Sequence, residues 1–255
     1  MVPFSSTRST STTTETNIPS LKLQPRRALA ALQKLLANPD DTSQVFTIIE
    51  SLSGEAPLRV LRRMRADVDG KRLIDTRADI RPLLLDRARL RAMPRGSLAE
   101  AYLAFLDREG ITADGLVEAS VVGETGAFGV GNELAYVGDR LRDTHDLWHA
   151  VSGYQGDVVG ETALLAFSVA QTKNPGVALI VFAALLRAHE VELTRLVVNA
   201  FRDGLHAAWL PAAVWEELMP LPLEEVRRKL RVARAPEYVP TRTSEMRAMG
   251  ELAPA

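Results

Sequence analysis

Four residues of this sequence combine types and spacing that could hold a metal ion: His145, Asp146, His149 and Glu161. Imidazoles at positions i and i+4 of a helix lie about 40° apart around its axis, so His145 and His149 are predicted to point the same way. Asp146 lies about 100° from His145 on the flank nearer His149, within reach of the same point. His149 precedes Gln155 by six residues and Glu161 follows it by six. If a turn is centred there, the two sit at one level of an antiparallel helical hairpin. Glu161 also falls on an apolar helix face, where a lone carboxylate is costly to bury. A His-Asp doublet alone is common and is more often surface or satisfied core. The second imidazole and the inward glutamate are what point to a metal. Two imidazoles and two carboxylates without a thiolate suit Zn²⁺, and also Fe²⁺, Mn²⁺ or Co²⁺. Their ligand atoms should then gather within about 6 Å of a common centre.

The elements that must position these residues read as helices. Residues 132–152 are predicted to form one helix, with Leu134, Val137, Leu141 and Trp148 as its apolar stripe. Gly153-Tyr154-Gln155-Gly156 breaks it, and Asp157 is a candidate N-cap for a second helix that carries Glu161, Leu164, Leu165 and Ser168 on one face. Upstream, Leu29, Leu32, Leu35 and Leu36 recur at helical spacing before Asn38-Pro39-Asp40. Further helices are predicted over 42–52 and 58–66, and 65–82 is read as a charged loop. Ser97 and Glu100 form a capping box for a helix ending at Glu109, before Gly110. Gly123, Gly126, Gly129 and Gly131 lack the Lys-Ser/Thr ending of a phosphate loop and are read as an entry loop. The most apolar window, 176–186, suits a core helix, because a membrane span needs about 20 residues. No stretch alternates with period two. The fold class expected is all-α, a single compact helical domain around a central metal-binding αα-hairpin.

Composition narrows the function further. The chain has 255 residues, 46% hydrophobic and 25% charged, which excludes a disordered or fibrous polymer. Its 31 basic and 32 acidic residues balance to a net charge of −1, so no field favours nucleic acid as a partner. The absence of cysteine removes disulfides, thiolate zinc fingers, iron–sulfur clusters and cysteine nucleophiles together. The Ser/Thr-rich start has no apolar h-region, and Glu15 with the single Arg8 argues against a transit peptide. Residues 1–24 are expected to be a disordered tail, 25–238 the helical domain, and 239–255 a flexible C-terminal tail. His189 and His206 have no partner of the kind His145 has, and His189 follows an apolar stripe as a core residue would.

His145-Asp146-x-x-His149, then eleven residues, then Glu161 resembles the motif of the Coq-four family, the fourth coenzyme-Q biosynthesis protein. The likeness runs from about Ala28 to Arg231 and includes QVFTIIESLSG, AYVGDRLRDTHDLWHAVSGY and GETALLAFSVAQTKNPG. It implies an all-α protein of ubiquinone biosynthesis that binds zinc through those four residues and attaches to a membrane surface peripherally. The attachment would be to the cytoplasmic face in a bacterium, or to the matrix side of the mitochondrial inner membrane in a eukaryote. The implied partners are the polyprenylated ring precursor and other ubiquinone-biosynthesis proteins, and a homo-oligomer is left open.

Two functions follow from the resemblance. One is oxidative decarboxylation of the polyprenylated benzoate ring, with carboxylate replaced by hydroxyl at the expense of dioxygen. The other is a non-catalytic isoprenoid-binding scaffold that organises the pathway enzymes. Zinc is redox-inert, so it can bind a carboxylate and polarise a ring but cannot itself activate dioxygen. A His-Asp phosphohydrolase would need another histidine well upstream, and all four histidines lie at or after His145. On an ideal helix Arg142 lies about 60° from His145, on the ligand side, and is a candidate carboxylate clamp. The small Gly138 and Ala135 leave room beside it. The alternative is that Arg142 pairs with Glu161 or Asp146 and orients it. Arg140 matches a family arginine but points away, where a salt bridge with Asp143 or Asp139 is the competing role. The 176–186 helix is the candidate groove for a polyprenyl tail.

Overall fold

The structure, a computed structural model, describes residues 22–38, 41–111, 132–188 and 190–248. Regular structure among them is helical, with no strand and one isolated bridge between Ser97 and Pro222. In chain order the helices are α1 Pro25–Ala37, α2 Thr42–Leu52, α3 Ala56–Ala66, α4 Val68–Thr76, α5 Arg81–Leu85, α6 Arg87–Arg91 and α7 Leu98–Glu109. There follow α8 Glu133–Asp143, α9 His145–Ser152, α10 Val158–Thr172, α11 Pro175–Ala188 and α12 Val191–His206. A 3₁₀ turn at Leu210–Ala212 leads to α13 Trp215–Leu218, α14 Leu223–Leu230 and α15 Thr243–Ala248. The all-α expectation holds. The glycine cluster at 123–131 and His189 lie outside the described residues.

Two expectations fail for identifiable reasons. The stretch 65–82 is not a loop, because α4 and the start of α5 occupy it. Asp67 caps α4 by accepting from Gly70 N at 2.9 Å, and the helix buries Gly70, Leu73 and Ile74. Gly70 marks close helix contact. A Cβ on Gly70 would lie 2.5 Å from the Met64 carbonyl oxygen. Nor is 132–152 one helix. It breaks at Thr144, whose hydroxyl donates to the Arg140 carbonyl at 2.8 Å, the back-bond that bends helices.

The core is laid around α10, which lacks a polar side and buries residues such as Ala163, Leu164 and Phe167 on several faces. The largest cluster packs α7, α9, α10 and α12 with the 3₁₀ turn and α14, and Trp215, Tyr102 and Phe167 are its largest fully buried side chains. Smaller clusters join α1 and α2 to α11, and α3 and α4 to α8. Helices α7 and α9 run in the same direction. At their C-terminal ends Gly156 N donates to Glu109 Oε1 at 3.2 Å, and within them Phe105 stacks on His149.

Candidate metal centre

The hairpin forms for reasons local to its sequence. Helix α9 stops where Gly153 takes φ +88°, a left-handed conformation that L side chains resist. Asp157 then caps α10, with Oδ1 accepting from Val159 N at 3.0 Å and Gly160 N at 3.3 Å. The cap is itself held from far along the chain, since Tyr238 donates its hydroxyl to Asp157 Oδ2 and Thr241 donates its amide to Oδ1, both at 2.9 Å. Val158 N donates to the Thr241 carbonyl at 3.0 Å. Residues 239–248, expected as tail, thus supply bonds to α10 and include α15.

On this frame His145, His149 and Glu161 converge, with one ligand atom from each lying within 4.8 Å of the others. His149 Nε2 is 3.1 Å from Glu161 Oε1, and His145 Nε2 is 3.8 Å from Glu161 Oε2. The donors would each need to move less than about 1 Å to reach Zn–N and Zn–O distances of about 2 Å. The chemistry of the nitrogens fits a cation. His149 Nδ1 lies 3.0 Å from the Tyr154 carbonyl oxygen, so Nδ1 carries the proton and Nε2 keeps its lone pair. That buried Nε2 has no hydrogen-bond partner among the described residues, and a lone pair there faces the Glu161 carboxylate, itself an acceptor, at 3.1 Å.

Asp146 stands apart from the three. Its Oδ1 is 3.4 Å from His145 Nδ1, behind the imidazole rather than in front of it. A carboxylate there orients the ring and raises its basicity. Burial opposes charge on His145, but the hydrogen bond it donates to Asp146 and the charges of Glu161 and Asp146 outweigh it and push the imidazole up to about 9. Burial likewise opposes charge on Glu161, yet the His149 and His145 imidazoles bring its carboxyl down to about 2. A metal ligand must be unprotonated, so zinc binding near pH 7.5 is expected to release about one proton per ion, from His145. Calorimetric titration in buffers of different ionisation enthalpy measures that release, and apparent affinity should climb with pH until about 9.

The two arginines are placed differently from their sequence-based positions. Arg142 is held within its own helix rather than at the ligands. It donates from Nη1 to Asp139 at 3.0 Å and from Nε and Nη2 to Asp143 at 3.0 and 2.9 Å. Arg140, expected to point away into a salt bridge with Asp143 or Asp139, is 4% exposed and finds a different carboxylate. It forms a bidentate pair with Glu216 at 3.0 and 2.8 Å and donates to the carbonyls of Ala78 and Ala213 at 3.3 Å. Arg140→Ala would take from Glu216 its bidentate partner, though the Ala78 carbonyl keeps the Tyr136 hydroxyl at 3.1 Å, and is expected to lower unfolding stability by about 3 kcal/mol in a urea titration. His206 is exposed, with Nδ1 2.7 Å from the Arg202 carbonyl oxygen, away from the centre.

Sequence reading missed Phe105, which stacks on His149 with ring centroids 4.8 Å apart and planes 14° from parallel. Its only signal was a place on the buried stripe of α7. The Tyr154 carbonyl that fixes the His149 tautomer comes from the turn itself and has no signature in side-chain types.

Comparison with known proteins assigns the class. A family model, coenzyme Q (ubiquinone) biosynthesis protein Coq4, matches residues 16–236, and the chain belongs to that family. It is similar to the mitochondrial ubiquinone biosynthesis protein coq4 of Aspergillus terreus, 34% identical over 183 residues, which cover 70% of this chain and 61% of the relative. The corresponding protein of Pyricularia oryzae is 34% identical over 191 residues, covering 73% and 61%. The chain thus spans about three fifths of the length of these curated relatives. A crystal structure from Nostoc punctiforme, of a protein assigned to ubiquinone biosynthesis, superposes with a TM-score of 0.61 at 21% identity, over 82% of this chain and 98% of that one. At that identity the likeness speaks for the fold.

Proposed function

We propose that this protein catalyses oxidative decarboxylation of the polyprenylated benzoate precursor of ubiquinone, at a metal centre held by His145, His149 and Glu161. The observation that carries the reading is a three-donor group with one side open. His145 and Glu161 keep 35% and 40% of their side-chain surface in solvent, while His149 is fully buried behind them. Structural zinc sites are closed by four protein ligands, whereas catalytic ones keep three and an open position. A divalent metal there, zinc or a redox-active ion such as Fe²⁺, Mn²⁺ or Co²⁺, would supply a Lewis acid for the substrate carboxylate. Asp146 keeps His145 in the tautomer that presents Nε2, and Phe105 holds the plane of the His149 ring. In the overall change the ring carboxyl leaves as carbon dioxide and one atom of dioxygen becomes the new hydroxyl. Two electrons and two protons from a reductant carry the other atom to water.

The partners proposed are the polyprenylated precursor, the other ubiquinone-biosynthesis proteins and a membrane surface. No described helix is long and apolar enough to cross a membrane. Phe182 and Leu186, one turn apart on α11, are 57% and 54% exposed and offer an apolar contact for the tail or the bilayer surface. The side is the matrix face of the inner membrane in a mitochondrion, or the cytoplasmic face in a bacterium. Incubation of metal-defined protein with a polyprenylated hydroxybenzoate, followed by product mass spectrometry, tests the activity. Hydroxylated, decarboxylated product supports it, and fully metallated protein that binds the precursor without turnover favours the scaffold. Arg142→Ala separates two roles for that residue. If Arg142 exchanges Asp139 or Asp143 for the substrate carboxylate, the variant should keep its metal and lose roughly 30-fold or more in kcat/KM.

A further inference from the structure

The turn that joins α9 to α10 is held by the far end of the chain. Residues 232–242 have no regular structure, none of 235–242 is buried, and Val239 is 82% exposed. What keeps the segment in place is a row of polar bonds. Ala235 N donates to the Ser152 carbonyl at 2.7 Å, where α9 ends. The Tyr238 hydroxyl accepts from Gln155 N at 2.8 Å and donates to Asp157 Oδ2 at 2.9 Å. The Thr241 amide and carbonyl bond to Asp157 Oδ1 and Val158 N at the start of α10. Arg242 pairs at 3.2 Å with Glu109, whose other oxygen takes the Gly156 amide. Segments with few buried apolar contacts open locally at small free-energy cost. Residues 235–242 are thus a strap laid along the turn, held by bonds and not by burial.

One atom of the strap reaches both helices that carry the metal-facing residues. Gln155 follows Tyr154, whose carbonyl fixes the His149 tautomer. Asp157 caps α10, and its own carbonyl accepts from Glu161 N at 2.8 Å. The Tyr238 hydroxyl stands between the two and is bonded to each. Its seat is close-fitting, since a Cβ on Gly160, the residue before Glu161, would lie 2.3 Å from it. We propose that strap closure and metal binding are coupled through the Tyr238 hydroxyl, which makes Tyr238 a positioning residue of the metal centre. The closed strap fixes Gln155 against Asp157, and with them the approach of Glu161 to His149. The open strap leaves the two helices packed on the core but removes the bond that spans their turn. Coupling is reciprocal, so a bound ion must hold the strap closed by the factor that the closed strap adds to affinity. The inference rests on the metal-centre reading above.

The test uses the full chain with Zn²⁺ alone as probe. Trypsin cuts after arginine, and the exposed Arg234 and Arg242 bracket the strap. Saturating zinc should slow cleavage at both by about 10-fold. Cleavage at the exposed Arg26 should not change, because α1 packs in a separate cluster with α2 and α11. Tyr238→Phe keeps the ring and deletes the hydroxyl. It should weaken zinc binding by about 10-fold in chelator competition and remove most of the protection that zinc gives the strap. A bond that served stability alone would act differently. Its loss would lower the melting temperature and leave both the zinc affinity of the folded protein and the protection by zinc as they were. That result overturns the proposal. So does zinc that protects Arg26 as much as Arg234. The cleavage arm needs no substitution, so it decides even where Tyr238→Phe does not fold. Failure of the unsubstituted chain to bind zinc overturns the metal-centre reading and this one together. Zinc binding that leaves cleavage of the strap unchanged sinks this one alone.

Discussion

Glu161→Ala is expected to lower zinc affinity by roughly 10³-fold or more, about a third of the binding free energy of a zinc site. The carboxylate is the donor that faces both imidazoles, at 3.1 and 3.8 Å, and nothing else in the group supplies oxygen. Chelator competition measures the loss, and a variant that retains wild-type affinity would remove Glu161 from the centre. The same substitution changes how the metal-free protein responds to pH. Glu161 has its folded-state pKa lowered to about 2, so its contribution to stability is present above about 4.5 and is lost as pH falls through 2. His145 is raised to about 9, so its contribution is complete below about 6.5 and is lost as pH rises through 9. The two overlap between about pH 4.5 and 6.5, where the metal-free protein should be most stable as far as this cluster decides. Glu161→Ala should flatten both edges of that plateau in pH-dependent melts. Both side chains keep over a third of their surface in solvent, which trims the size of the effect but not its sign.

Gly160→Ala should be the most damaging single methyl group in the hairpin. A Cβ there would lie 2.2 Å from the Gln155 carbonyl oxygen, 2.3 Å from the Tyr238 hydroxyl and 2.9 Å from Asp157 Oδ2. Two of those atoms belong to the bonds that cap α10, and the third is backbone. Alanine gains about 1 kcal/mol of helix propensity over glycine, which cannot offset such clashes. A net loss of about 3–5 kcal/mol is expected in denaturant unfolding, with zinc affinity falling because Glu161 follows Gly160 directly. Gly96→Ala is the control. Gly96 has φ +73° and nothing within 4 Å of its would-be Cβ, so only the left-handed backbone resists, at about 1 kcal/mol.

What the sequence displayed of this site was local. The i, i+4 imidazoles, the glutamate at hairpin spacing and the Asp157 cap each depend on a few neighbouring residues, and the structure brings three of the four proposed ligands together. The Ser97 cap was also legible, although Glu100 reaches back to Gly96 N rather than to Ser97. What failed depended on tertiary contact. Helix α4 has only Leu73 and Ile74 as buried large apolar residues, and its charged composition hid it. The helix is interrupted at Thr144, whose hydroxyl bonds back to Arg140, where periodicity predicted continuity. Glu216, which takes Arg140 out of the site, lies 76 residues downstream. Asp146 illustrates the finest limit, because helical geometry places its carboxylate near the metal but does not say which side of the imidazole it will take.

The bonds from Tyr238 and Thr241 to Asp157 set an order of events during synthesis. Once Glu161 is added, all three metal-facing residues are in the chain, but the residues that anchor their turn are not. Thr241 follows 80 residues later (241 − 161), roughly 4–16 s at about 5–20 residues per second. During that interval the turn has its local Asp157 cap but lacks the bonds that Tyr238 and Thr241 add to it. The frame around His145, His149 and Glu161 is therefore completed by residues added well after all three.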